Sequence, residues 1–259
     1  MEKIWLVEDI FPESQSLINN LQQLGKKVLS FDYKPGFLPP LDKSVLYIYH
    51  GSLQTAKLLE DAEIGHFGIF ASLPYYSCID YYPYINKVLL NWKNSYFTSI
   101  DNFLNGRFCW PSEKLFIRPN SGYKPFIPFS FTKQDFKVRR QELSNLNDAD
   151  FVLIAPHKNI QKEWRVFLYQ NNVGDSEYLS SCQYLPEMIK DTPQDVIDLA
   201  KYASNLYCAD TFHSVDICES DGELYVLEIN SFSCAGLYVC DTTPIINKIE
   251  EHLDEYISS

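Results

Sequence analysis

Apolar positions along the chain alternate between short continuous runs and helical spacing. Residues 4–7 form an apolar run that predicts a buried strand. Leu17, Ile18, Leu21 and Leu24 recur at helical spacing within residues 12–24, and Gly25 then supplies a helix stop. Runs at 27–31 and 45–49 predict two further strands, and a helix is expected from Gly51 through Leu59. This order describes a small α/β lobe with a partly parallel sheet.

The next segment is denser in rings. Residues 75–84 are rich in tyrosine and read as a packed loop or lobe junction, and residues 84–104 predict a helix broken near Ser95. Strands are expected at 114–117, 151–155, 163–169, 178–184, 214–218 and 224–229. Helices are expected at 133–146, 192–206 and 244–256, with Pro193 suited to a first helical turn. A hairpin turn is placed at 171–174, and another at Ser220, Asp221 and Gly222.

Composition narrows the class. The formal net charge of −12 argues against nucleic acid and anionic membranes as main partners. No run of about 18 apolar residues occurs, so no membrane span is expected. The first residues, with Glu8 and Asp9 beside the apolar run, read as a strand and not as a signal peptide. Seven cysteines without a CxxC pair fit reduced thiols in a cytoplasmic protein better than disulfides or zinc. The histidines form no HxxxH pair, and no GxGxxG, Walker or GxSxG motif is present. The sequence carries no signal of oligomeric state.

The chemistry concentrates in LYVLEINSFSCAG, residues 224–236. Glu228 and Asn230 lie two apart on a predicted strand and therefore share a face. A carboxylate and an amide oxygen side by side on a rigid strand suit Mg2+, a hard cation that takes oxygen ligands. Asp216, on the preceding strand, is the third candidate metal ligand. Hairpin register decides whether it joins them. A two-residue loop at Asp221 and Gly222 would turn Asp216 away, whereas a three-residue loop starting at Ser220 puts all three on one face.

The order IRP, helix, apolar strand, ExR, Asp, ExN across roughly residues 95–240 resembles the ATP-grasp superfamily. More narrowly it is similar to a clade from phages and bacteria, distantly like the ribosomal-protein glutamate ligases. The resemblance implies an α+β fold in which two antiparallel-sheet lobes clamp ATP, preceded by the α/β lobe. It divides the chain into residues 1–95, 96–150 and 151–259. It implies a ligase that activates a carboxylate as an acyl phosphate, which an amine then attacks. ATP and Mg2+ are the implied cofactors, and an acid and an amine the implied substrates.

Under that resemblance, Arg118 takes the place of a strand-borne phosphate-binding lysine, with Lys124 the next cation. Arg118 and Arg165 are the catalytic candidates, since fixed cations neutralise the transferring phosphoryl group. Residues 151–155 would be a hinge strand whose backbone reads adenine while Val152, Leu153 and Ile154 flank the ring; equally, these three are simply core. Lys158, with His157 and Asn159, would reach ribose or phosphate. Glu163 shares a strand face with Arg165, and both are assigned to the nucleotide. Ser180, Ser181, Tyr184, Ser231 and Ser233 are lesser candidates. The segment NSGYKPFIPF departs from the family by having a single glycine, Gly122, in its phosphate loop. A stiff loop leaves open a nucleotide-binding module without turnover, and the aromatic N-terminal lobe leaves open a protein that docks a partner.

Overall fold

The computed structural model describes residues 1–64, 67–170 and 174–258. The chain begins with β1 (Lys3–Asp9), α1 (Ser14–Gln23), β2 (Val28–Asp32), β3 (Leu46–His50) and α2 (Leu53–Asp61). The strands form a parallel sheet in the order β2-β1-β3, so the partly parallel expectation becomes wholly parallel. A central parallel strand is covered on both faces. Trp5 and Val7 accordingly pack toward Leu17 and Leu21 of α1, while Leu6 packs toward Ala56 and Leu59 of α2. Glu8, fully buried, accepts from Ser52 N (2.6 Å), Thr55 Oγ1 and Tyr49 OH (both 2.8 Å), which places a carboxylate at the electropositive start of α2.

The tyrosine-rich stretch is a junction made of helix. A 3-10 turn, Leu73–Tyr76, precedes α3 (Cys78–Ile85), and buried Tyr76, Tyr81 and Tyr82 pack with Trp164 and Val166. The helix expected over 84–104 does not form. Leu90 N donates to Val226 O (3.0 Å) and Val88 O accepts from Val226 N (2.8 Å), so this backbone bonds to a distant strand instead of its own next turn. Asn94 then adopts φ +60°, and the segment resolves into β4 (Tyr96–Ser99) and α4 (Ile100–Leu104).

The central lobe continues with β5 (Lys114–Pro119), β6 (Phe129–Thr132), α5 (Phe136–Arg139) and β7 (Phe151–Pro156). Its antiparallel sheet runs β4-β7-β5-β6 over a core that includes Ile100, Phe103, Ile117, Phe131 and Val152. The helix expected at 133–146 shrinks to α5 and a 3-10 turn, Arg140–Leu143. Strand β7 is an inner strand of this sheet, flanked by β4 and β5.

The last lobe comprises β8 (Ile160–Gln170), β9 (Ser176–Leu185), α6 (Gln194–Leu206), β10 (Phe212–Ser220), β11 (Glu223–Ser231) and α7 (Thr243–Ser258). Its antiparallel order is β11-β10-β8-β9. Val196, Ala200 and Ala203 of α6 pack on one face, and Ile245, Ile246 and Ile249 of α7 on the other. The turn expected at 171–174 falls largely outside the described residues. Two antiparallel sheets preceded by an α/β lobe make the α+β arrangement that the sequence implied.

The β10–β11 hairpin corrects the expected register. Ser220 pairs with Glu223, leaving a two-residue loop in which Asp221 and Gly222 have φ +54° and +79°, as a type I′ turn requires. That loop alone would pair Asp216 with Leu227. A β-bulge intervenes: Ile217 pairs with Val226, but Asp216 pairs with Glu228. The extra residue, Leu227, rotates the strand and brings Asp216, Glu228 and Asn230 together without the expected three-residue loop.

Candidate active site

Between the two antiparallel sheets lies a cleft of about 290 Å³. Phe116 and Arg118 on β5 and Ser130 on β6 form one wall; Glu163 on β8 and Leu227 and Glu228 on β11 form the other. His157 and Lys158, in the segment linking the two sheets, close its edge. A hollow of 660 Å³ at Trp110, Glu113 and Lys133 is larger but gathers none of these residues, so volume alone does not locate the chemistry.

At the inner end of the cleft, charges converge. Arg118, only 6% exposed, donates from Nη2 to Glu228 Oε2 at 2.9 Å. Its Nε is buried with no partner among the described residues, an orphan donor that an anion would satisfy. Lys124 Nζ lies 3.2 Å from both Glu228 oxygens and 2.7 Å from Asn230 Oδ1. Burial pushes the Glu228 carboxyl up, but Lys124, Arg118 and Arg165 outweigh it and hold the group well below the usual carboxylate range.

Behind this cluster sits a second one. Arg165 donates from Nε and Nη2 to Asp216 at 2.8 and 2.7 Å, a bidentate pair, and from Nη1 to Gly236 O at 2.9 Å. Its guanidinium rests against the rings of Tyr184 (5.7 Å) and Tyr238 (5.1 Å). Asn230 Nδ2 donates to Asp216 Oδ2 at 3.1 Å, which turns the amide oxygen of Asn230 toward Lys124. The two clusters are thus joined through one amide. Glu163 accepts from Tyr184 OH at 2.5 Å, and burial raises its carboxyl above the ordinary value.

The sequence-derived candidates divide accordingly. Arg118, Lys124, Arg165, Asp216, Glu228 and Asn230 form one connected network. Lys158 and Glu163 line the cleft. Val152, Leu153 and Ile154 do not: all three are fully buried, and β4 and β5 flank the strand on its two edges. A central strand with both edges paired has no backbone groups left to read a base. The connection between the lobes is the following segment, Pro156 to Ile160. Ser233, also fully buried, accepts from Phe70 N at 2.9 Å and ties the first lobe to the last. Ser181 bonds Tyr178 OH at 2.9 Å, and Ser231 lines a small hollow beside Lys124.

Phe116, Ser130, Asn91 and Leu227 also line the cleft, though none was a candidate from the sequence. Phe116 was findable, since it lies two residues before Arg118 and shares its face. Alternation of Phe129 and Phe131 could have exposed β6 and hence Ser130. Leu227 depends on the bulge and left no local signal. His157 forms a relay: the Lys114 ammonium can only donate, so His157 Nε2 accepts at 3.2 Å and Nδ1–H points to Ser130 Oγ at 2.8 Å.

Two four-stranded antiparallel sheets facing each other across a charged cleft, behind a parallel lobe, constitute the ATP-grasp fold. Residues 110–249, more than half of the chain, match the model of an ATP-grasp domain family, the third family of its clade, and the chain belongs to that family. Solved structures share the fold at low identity. D-alanyl-alanine synthetase A from Vibrio cholerae O1 is 15% identical with a TM-score of 0.58, covering 97% of this chain and 93% of that one. D-cycloserine synthetase is 14% identical with a TM-score of 0.59, covering 98% and 99%. N5-carboxyaminoimidazole synthetase from Staphylococcus aureus, solved with ADP, is 11% identical with a TM-score of 0.57, covering 89% and 70%. Among curated proteins, none matches the chain.

Proposed function

We propose that this protein is an ATP-dependent carboxylate–amine ligase that forms an amide through an acyl phosphate. The observation that carries the reading is the meeting of Arg118, Lys124, Glu228 and Asn230 at the inner end of a cleft between two sheets. Family membership supports it, as do neighbours whose names denote synthetases, one of them solved with ADP.

The donor set fits Mg2+. Glu228 and Asn230 already point three oxygens at a single cationic centre, the Lys124 ammonium. Among the described residues no three His, Cys, Asp or Glu side chains gather as a metal site, so the amide of Asn230 is needed to complete an oxygen set. Asp216 is committed to Arg165 and positions Asn230 rather than offering free oxygens of its own. Bound there, Mg2+ would neutralise phosphate charge.

In this reading the adenine lies against Phe116 and Leu227, beside the linking segment with Lys158. Arg118 turns its unpaired Nε toward phosphate and stabilises the transferring phosphoryl group. Lys124 approaches the same oxygens from the loop above. Arg165 acts through Asp216, holding Asn230 in place.

The test is release of ADP and phosphate from ATP and Mg2+ with pooled acids and amines. Acid- and amine-dependent ADP release that Glu228→Gln abolishes supports the ligase. Nucleotide binding without release under any pool favours a module that binds ATP without turnover. Gly122 supplies a reason to keep that second reading: a Cβ there would overlap the Leu73 carbonyl, so the loop is anchored at its base.

A further inference from the structure

Lys124 occupies an unusual place. Its backbone has φ +45°, a left-handed conformation that a non-glycine residue seldom adopts. Its amide donates to Ser121 O at 3.1 Å, one residue before the anchored Gly122. Beyond it come Pro125 and Pro128 and the tip residue Ile127, 87% exposed. The side chain leaves this turn and places its ammonium 2.7 Å from Asn230 Oδ1 and 3.2 Å from each Glu228 oxygen. The Lys124 side chain is one-third exposed, and that of Glu228 less than one-fifth. Three oxygens from one strand thus surround a cation carried by the protein itself.

We propose that the Lys124 ammonium holds the divalent cation's place in the nucleotide-free chain, so that metal enters only together with the phosphates that draw Lys124 away. This rests on the metal assignment of Glu228 and Asn230 above. An ammonium and a dication cannot share one point, because like charges a few ångströms apart repel strongly where water is scarce. Metal without nucleotide must therefore expel Lys124 into solvent with no new partner. Metal with nucleotide expels it toward a polyanion, which compensates the lost contact with Glu228. The exchange needs movement only beyond Gly122, since the base of the loop is seated on Leu73. Order of binding would then follow from competition among charges at a single strand face.

The test measures Mn2+ affinity by electron paramagnetic resonance of free Mn2+, on the full chain, for wild type, Lys124→Met and Lys124→Arg. Thermal unfolding confirms that each is folded. Without nucleotide, Lys124→Met should bind Mn2+ at least tenfold more tightly than wild type, and Lys124→Arg should stay near wild type. With saturating ADP the order should reverse, because the methionine no longer helps hold the phosphates. Unchanged or weaker nucleotide-free binding in Lys124→Met overturns the proposal while leaving the metal site standing. Tight binding that persists in a Lys124→Met, Glu228→Gln double variant places the metal elsewhere and overturns the site reading itself, as does a lack of Mn2+ binding in every form with ADP present.

Discussion

Arg165 and Asp216 form the most deeply buried ion pair of the cleft, with side chains 8% and 2% exposed. Breaking such a pair leaves an uncompensated charge, a change that typically costs about 3–5 kcal/mol. Arg165→Ala should lose stability on that scale in urea unfolding, and Arg165→Lys should recover only part, because an ammonium cannot reproduce the bidentate fork. Glu228 gives a prediction with a pH sign. Its folded carboxyl titrates below the ordinary value of 4.5, so its contribution is fully present above that pH and is lost as acid protonates it in the fold. The stability gap between wild type and Glu228→Gln should therefore be widest at neutral pH and close progressively below about pH 4.5. A gap independent of pH would mean that Glu228 is not ionised and paired.

The β10–β11 hairpin shows how an element can place chemistry by irregularity. Its tight turn needs positive φ at Gly222, where an added Cβ would meet nothing within 4 Å. Gly222→Ala should therefore cost only the backbone penalty, about 1–2 kcal/mol in chemical denaturation, and Gly222→Asn appreciably less. The elements with strong periodicity were legible in the sequence: β1, α1, α6 and α7 lie within a few residues of their predicted bounds. The convergence of Glu228 with Asn230 was legible as well, because spacing by two is a local property. What failed was decided at a distance. Residues 84–104 lost their helix to backbone bonds with Val226, and of the two readings of 152–154 it is the core one that the pairing of both β7 edges with β4 and β5 favours. The bulge at Leu227 was equally invisible. Asp216 does join Glu228, but a bulge and a shorter loop bring it there in place of the expected three-residue turn.

Across the whole molecule, the first and last lobes are fused. Gly51 N donates to Ser233 O (2.8 Å), His50 Nε2 bonds Ala235 O (3.0 Å), and Glu13 accepts from Leu237 N and Tyr238 N. The central lobe, by contrast, has its own core and closes the cleft from the opposite side. Removing residues 1–95 should uncover the part of the α7 core that Trp5, Leu17 and Leu21 complete and yield aggregated protein by size-exclusion chromatography. Nucleotide, bridging the sheets, should raise the melting temperature by about 5–10 °C at a hundredfold excess over its Kd. An unmoved melting temperature with ADP and ATP analogues alike would remove the nucleotide site.

The fusion also bears on how the chain folds. Trp5 packs its indole into the same core as Ile245 and Ile249, and its Nε1 donates to Glu250 at 2.8 Å. A strand thus depends on a helix 245 residues away along the chain. Contacts so remote along the chain form slowly. The core around Trp5 is therefore closed only once α7 has docked against α1 and β1, so the docking of this one helix sets when the first sheet is fully covered.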